Sequence, residues 1–331
     1  MSKRQIFLIG AGAIAYHHAT AAQRLGARLV VCDPNAEAVA RFSQAHPDAV
    51  CHADADAMFA AETVNEGDIA IVAVPPALHL PLARTALNAG CHILCEKPIV
   101  RELAEFAELE KAAQAAGRYV VDCSVRFTGL PSQAWARDTL ASGALGDVYR
   151  ARLINRTNRA RPGVEYQPDS RWFLNKAQSG GGVLMDWSVY DFAALFDVLQ
   201  PIEVEVLAAR IGQIETGADP KGIAIEVESH VMATLAVWLD DKTRITLEYE
   251  RANGCHGAET SELSIEGTQG AMSWQWLPPY ADDLIEVEFY GDEGGTVVYT
   301  QDRLSMSEQP HFHDMPLVGL VKKLEAWIRT R

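Results

Sequence analysis

The chain has 331 residues, 48% of them apolar, with 29 Lys and Arg against 44 Asp and Glu and a net charge of −15. That length favours two domains over one, the charge repels nucleic acid, and no apolar run is long enough to span a bilayer, so neither a nucleic-acid nor a membrane partner is expected. The six cysteines, Cys32, Cys51, Cys91, Cys95, Cys123 and Cys255, are scattered and mostly sit in apolar runs, as small buried hydrophobes of a reducing, cytoplasmic compartment would.

Apolar runs at Gln5 to Ile9, Arg28 to Cys32, Asp68 to Val74, His92 to Cys95 and Tyr119 to Cys123 alternate with helical stretches. One such stretch, Glu102 to Ala116, has Gly117 placed to stop it. This alternation predicts an α/β fold whose N-terminal domain, residues 1–126, is a doubly wound parallel sheet. The first run enters Gly10-Ala11-Gly12-Ala13-Ile14-Ala15 and then a helix. Gly10 permits a tight turn, Gly12 lets backbone approach a pyrophosphate at the helix N-terminus, and Ala15 allows close packing of helix on strand. The next run ends in Asp33, where a carboxylate accepts hydrogen bonds from an adenosine ribose and repels a 2′-phosphate. NAD is therefore expected as cofactor in preference to NADP. Val74, Pro75, Pro76 and His79, and then Glu96, Lys97 and Pro98, follow later strands at their carboxyl ends, the rim where such sheets bind ligands. By itself the Glu96-Lys97 pair reads equally well as a solvated strand end or a structural ion pair.

Beyond residue 127 the pattern changes, and a second α/β domain, 127–331, is predicted to bind substrate and mediate oligomerisation. A helix near Ser132 to Ser142 and a run from Asp147 to Asn155 precede the turn Gly180-Gly181-Gly182 and a helix from Val183 to Leu199. Seven or so largely period-two strands follow from Ile202 to Thr300, among them one run from Ile225 to Leu239, and predict a large, mostly antiparallel open sheet. Two helices cannot hide that sheet, so a homodimer or homotetramer through it is expected. Asp186 and Tyr190 lie four residues apart and share one helix face. Tyr190 becomes a workable proton shuttle beside an ammonium such as that of Lys97, though a tyrosine on an apolar helix is also an ordinary core residue. Arg152, Asn155, Arg156, Arg159, Arg161 and Trp172 form a polar and aromatic stretch that either lines a substrate cleft or makes surface ion pairs. His311, His313 and Asp314 lack a further clear ligand and no metal is assigned. Trp274 and Trp276 read as sheet-packing residues.

The ordered set Gly10-x-Gly12-x-x-Ala15, Pro75-Pro76-x-x-His79, Glu96-Lys97-Pro98, Arg126-Phe127, Gly143-x-x-Gly146 and Gly180-Gly181-Gly182 with Asp186 resembles the glucose-fructose oxidoreductase, inositol dehydrogenase and rhizopine catabolism family across roughly residues 5 to 200. The resemblance implies a Rossmann domain joined to an α/β domain, with Gly10, Gly12, Ala13, Ile14, Ala15, Asp33, Val74, Pro75, Pro76, His79, Glu96, Lys97 and Arg126 around NAD. It implies Lys97, Asp186 and Tyr190 as catalytic groups, with Asn155, Arg156 and Trp172 toward a sugar-like substrate. Most relatives carry His where this chain has Tyr190, and Gly where it has Ser188. A Tyr there looks like the glucose-fructose oxidoreductase and dihydrodiol dehydrogenase branches, which often use NADP; Asp33 still favours NAD. The leading expectation is an aldose 1-dehydrogenase. An NAD-dependent glycosidase of the same family and a non-catalytic NAD-binding regulator are the alternatives, and the intact Lys97 motif speaks against the regulator. Leu317 to Ile328 looks like the family's penultimate helix, without the final helix that usually follows.

Overall fold

The structure is a computed structural model that describes residues 4–240, 242–279 and 283–329. Its chain divides into two compact units, one running to Arg126 and taking up the residues from His313 onward, the other Phe127–Phe312.

In the first unit β1 (Gln5–Ile9), α1 (Ala13–Arg24), β2 (Arg28–Cys32), α2 (Ala36–Ala45), β3 (Val50–His52) and α3 (Ala55–Ala61) come first. They are followed by β4 (Ile69–Val72), α4 (His79–Asn88), β5 (His92–Cys95), α5 (Leu103–Ala116) and β6 (Val120–Asp122). The six strands form one parallel sheet in the order β3-β2-β1-β4-β5-β6, and its order reverses between β1 and β4. β1, β4 and β5 are buried along their whole length, which is why they read as continuous apolar runs rather than alternating ones. β3 went unpredicted because a half-buried edge strand of three residues carries no period. α5 stops at Gly117, whose φ of +62° is the left-handed C-cap that glycine adopts at little cost.

The second unit holds α6 (Pro131–Ala141), β7 (Val148–Thr157), α7 (Lys176–Ser179), α8 (Val183–Leu199), β8 (Glu203–Gly212), β9 (His230–Trp238) and β10 (Arg244–Asn253). It continues with β11 (Thr260–Gly267), β12 (Gly270–Trp274), β13 (Leu284–Glu293) and β14 (Thr296–Ser305). Eight strands pair in the order β14-β13-β12-β11-β7-β10-β9-β8, antiparallel except for β7 with β10. α8 packs on β9 and β10, and α6 on β12 to β14. Trp274 and Trp276 are sheet-packing residues as expected: Trp274 donates from Nε1 to Gln133 Oε1 at 2.5 Å and Trp276 is buried against Phe127.

Two sequence expectations need correction. The strand read from Ile225 to Leu239 begins only at His230, because the Glu228 carbonyl leaves the ladder to accept from Val183 N at 3.0 Å. The last helix, α9 (Met315–Arg329), was read with the second half of the chain but packs in the first unit. Its Leu317, Leu320, Val321 and Leu324 share a core with Ala15, Ala19 and Ala22 of α1, and Arg24 donates to Asp314 at 2.5 Å. Periodicity revealed the helix, but nothing in a helix period names its partner. Among the described residues no helix is long and apolar enough to cross a membrane.

Candidate active site

The glycine turn of the first unit suits a pyrophosphate. Gly10 has a φ of +107°, and a Cβ there would lie 2.3 Å from the Ala73 carbonyl oxygen, so the turn requires glycine. At Gly12 a Cβ would meet nothing within 4 Å, which leaves the N-terminus of α1 open to an approaching anion. No side chain caps that helix end. Asp33 stands beside the turn: Oδ2 accepts from Ala11 N at 2.8 Å and Oδ1 from Asn35 N at 2.8 Å. Each oxygen keeps acceptor capacity for a ribose hydroxyl. The residues present therefore fit a dinucleotide with a free 2′-hydroxyl, and Asp33 has a second duty, unforeseen from sequence, of holding the turn.

Val74, Pro75 and Pro76 follow β4, and Glu96, Lys97 and Pro98 follow β5, the Lys97–Pro98 peptide being cis. His79 joins these two rim loops, since its Nδ1 lies 2.8 Å from the Pro98 carbonyl oxygen and its Nε2 2.8 Å from that of Val74. Burial lowers its pKa, against the pull of the two carbonyls. Through these two contacts it ties the rim loops after β4 and β5 together. Glu96 is buried with Oε1 2.8 Å from His18 Nε2 and 2.7 Å from Arg126 Nη2, while Oε2 accepts from Lys97 N at 3.2 Å. Burial works to raise the carboxyl's pKa, but Arg126, His18 and Lys97 outweigh it and hold it well below the usual carboxylate range. Glu96 is thus an anionic post beneath Lys97, with Arg126 as its counter-ion. His18 and Cys123 stand close to Glu96, whose Oε1 is already paired with Arg126.

In the second unit α8 carries Asp186 and Tyr190 on one face. Tyr190 is 3% exposed, with its ring 5.0 Å from that of Phe127 and 5.7 Å from that of Trp187, both edge-on. Two features missed in sequence hold the helix. The first is Glu228, whose Oε1 accepts from Gly182 N at 2.9 Å and Leu184 N at 3.0 Å, an N-terminal cap supplied by a distant segment. A Cβ on Gly182 would lie 1.8 Å from the Glu228 carbonyl oxygen, which explains the glycine there. The second lies under the next turn, where Asp191 is fully buried and accepts from Tyr249 at 2.8 Å and from Arg251 Nε at 3.0 Å. The Arg251 guanidinium sits 4.8 Å from the centre of the Trp187 ring. An Arg at a buried alternating position of β10 was a legible signal for this pair.

Two family models match this chain, the oxidoreductase family with an NAD-binding Rossmann fold over residues 4–123 and the GFO/IDH/MocA C-terminal domain over residues 134–295. The chain belongs to the GFO/IDH/MocA oxidoreductase family. It is similar to inositol 2-dehydrogenase 4 of Saccharopolyspora erythraea, 28% identical over 72% of this chain and 69% of that one. It is also similar to 1,5-anhydro-D-fructose reductase of Ensifer adhaerens, 27% identical over 64% of this chain and 58% of that one, so it spans less than two thirds of the latter. Among solved structures, an oxidoreductase domain protein from Kribbella flavida shares the fold, with a TM-score of 0.78 and 20% identity over 98% of this chain and 91% of that one.

Where this GFO/IDH/MocA chain has Ser188 in place of the common Gly, the hydroxyl donates back to the Leu184 carbonyl within α8, so the buried polar group is satisfied. The substrate-side residues are not all brought together. Successive residues of β7 point to opposite sheet faces, and Asn155 shares the α8 face with Arg251, its register partner on β10. Arg156 is on the other face, paired with Glu250 at 3.4 Å, and so cannot join Asn155. Trp172 stacks on Phe173 with ring centres 3.8 Å apart. The arginine stretch is a set of ion pairs: Arg150 with Glu248 and Glu266, Arg152 with Glu248 and Glu262, and Arg161 with Glu165 and Asp219. His311 falls in the second unit, while His313, stacked on His17, and Asp314 fall in the first.

Asp122, at the end of β6, was not singled out in the sequence. Burial, helped by Glu96 and opposed by the Ser124 hydrogen bond and Lys97, raises its pKa to about 6. A carboxyl raised in the folded state favours unfolding as pH climbs from its unfolded value to its folded one. Asp122→Asn keeps an acceptor for Ser124 N and is expected to raise the melting temperature relative to wild type. The difference should open between about pH 4 and pH 6 and stay constant above. Thermal melts across that range check this; a constant difference at all pH values would show that Asp122 does not titrate there.

Proposed function

We propose that the protein is an NAD-dependent dehydrogenase that interconverts a hydroxyl and a carbonyl on a neutral sugar-like substrate, with oxidation of an aldose at C1 as its leading reaction. The observation that carries this reading is the Asp33 carboxylate held against an open glycine turn in a unit that matches an NAD-binding Rossmann fold. Bound NAD supplies the hydride acceptor. Tyr190 takes the hydroxyl proton, Lys97 polarises the oxygen, and Asp186, in the first turn of α8, orients a substrate hydroxyl. Glu96 anchors the loop that carries Lys97, accepting from the Lys97 backbone N–H. Engagement of Arg150, Arg152, Arg156 and Arg161 by carboxylates, with only Arg159 of that stretch outside these ion pairs, supports a neutral substrate over a sugar acid or phosphate.

The test is absorbance of reduced nicotinamide when the protein is offered NAD, and separately NADP, with aldoses, inositols and sugar acids. Growth with NAD on neutral sugars supports the reading; growth confined to sugar acids, or a flat trace despite calorimetric NAD binding, rejects it. Asp33→Ser removes charge-assisted hydrogen bonds worth about 1.5–3 kcal/mol, so kcat/KM for NAD should fall about tenfold or more while that for NADP rises. An unchanged ratio of the two coenzymes would remove Asp33 from the ribose site.

We also propose that the eight-stranded sheet pairs with a second copy. β8 is exposed along nearly its whole length, with Val206 63% and Ile211 61% exposed. An apolar edge of that kind is unusual on an uncovered surface. Sedimentation of the intact protein distinguishes monomer, dimer and tetramer.

A further inference from the structure

The second unit contains a small cavity at the N-terminus of α8, with Asp186 in its lining. Its walls are apolar, formed by Val164, Phe173, Leu174, Val183, Ile225 and Val227. Of the polar groups that border it, Arg161, Glu228, Ser229 and Asn253 are engaged by neighbours, and Gln213 and Asp186 complete the polar lining. Arg161, 5% exposed, donates to Glu165 at 2.7 Å, to Thr216 Oγ1 at 2.7 Å and to the Ile214 carbonyl at 3.1 Å, and pairs with Asp219 at 2.5 Å. Glu228 is committed to the helix N-terminus, Ser229 accepts from Ile214 N at 2.7 Å, and Asn253 donates to the Ala160 carbonyl at 3.2 Å.

With one cation against Glu165, Asp219, Asp186 and Glu228, the cavity disfavours an anion. Its volume of about 30 Å³ exceeds the roughly 10–15 Å³ that one water needs. A short alkyl group there would gain contact with the apolar walls on several sides. We infer that this cavity receives a methyl group carried by the neutral sugar, either the C-methyl of a deoxy sugar or, where hydride leaves a carbon other than C1, the O-methyl of a methyl glycoside, placed next to Asp186. This deepens the dehydrogenase reading and rests on it for the identification of the ligand as a sugar.

Matched pairs separate the possibilities: D-galactose against 6-deoxy-D-galactose, D-glucose against 6-deoxy-D-glucose, and D-glucose against its methyl β-glycoside. Binding to the NAD-loaded protein is measured by calorimetry and turnover by NADH absorbance. A fitted methyl group is worth roughly 10–200-fold in such a pocket, so one methyl-bearing partner should bind at least about tenfold more tightly than its hydroxylated counterpart. A deoxy preference identifies the C-methyl source and a glycoside preference the O-methyl source. Equal or weaker binding of every methyl-bearing sugar, or no binding of any, overturns the inference. Ile225→Phe, which fills the cavity from a loop, should abolish the preference, and Val164→Phe does so independently if the first variant fails to fold. A preference that survives in a folded variant also overturns it. Tighter methyl binding without NADH would keep the cavity assignment and defeat the dehydrogenase reading; equal NADH formation without a methyl preference would do the reverse.

Discussion

Lys97→Met is expected to bind NAD nearly as well as wild type and to lose turnover by roughly two to four orders of magnitude, the range over which general acid–base assistance acts. The expectation follows from the surroundings of the residue. Glu96, His18 and Arg126 form a buried network, and Glu96 Oε2 accepts from the backbone N–H of residue 97, which Met retains. The glycine turn and Asp33 belong to other strands and should be unaffected. The substitution has a second consequence: Lys97 lowers the pKa of Asp122 from the value that burial would impose, so its removal should raise that group above about 6. Steady-state NADH formation and calorimetric NAD binding check the first effect, and pH-dependent melts the second. A Lys97→Met protein with near-normal turnover would end the catalytic assignment.

Tyr190→Phe is expected to lower kcat by a similar factor, about 100-fold or more, while the melting temperature stays close to wild type. Its contacts with Phe127 and Trp187 are made by the ring, so they survive the loss of the hydroxyl. The Asp191–Arg251–Tyr249 network and the Glu228 cap hold α8 without involving residue 190. A structural tyrosine would give the opposite pattern, with a shifted melt and unchanged kcat. Measuring both on one preparation separates the two roles.

The first half of the fold was legible because parallel strands buried on both faces leave unbroken apolar runs, and because the glycine turn and Asp33 occur at fixed places in such a sheet. α8, read from about Val183 to Leu199, spans those residues. The partner of α9 was not legible, since Leu317 and Leu320 meet residues of α1 some three hundred positions earlier. On β7, the strand period could have shown that Asn155 and Arg156 face opposite ways; the arginine content of the stretch obscured it. Glu228 and Asp122 were missed for a common reason: each acts through a tertiary neighbour, one capping a helix and the other sitting beside Glu96 and Lys97, and a single carboxylate carries no local pattern.

Hydride transfer itself is tested most directly with an aldose deuterated at every carbon, incubated with NAD and the intact protein, the reduced nicotinamide then being weighed by mass spectrometry. NADH carrying one deuterium is the expected result. NADH without deuterium, or deuterium released to water with no net NADH, would contradict direct transfer from a sugar carbon, and the second pattern would point to transient oxidation followed by elimination.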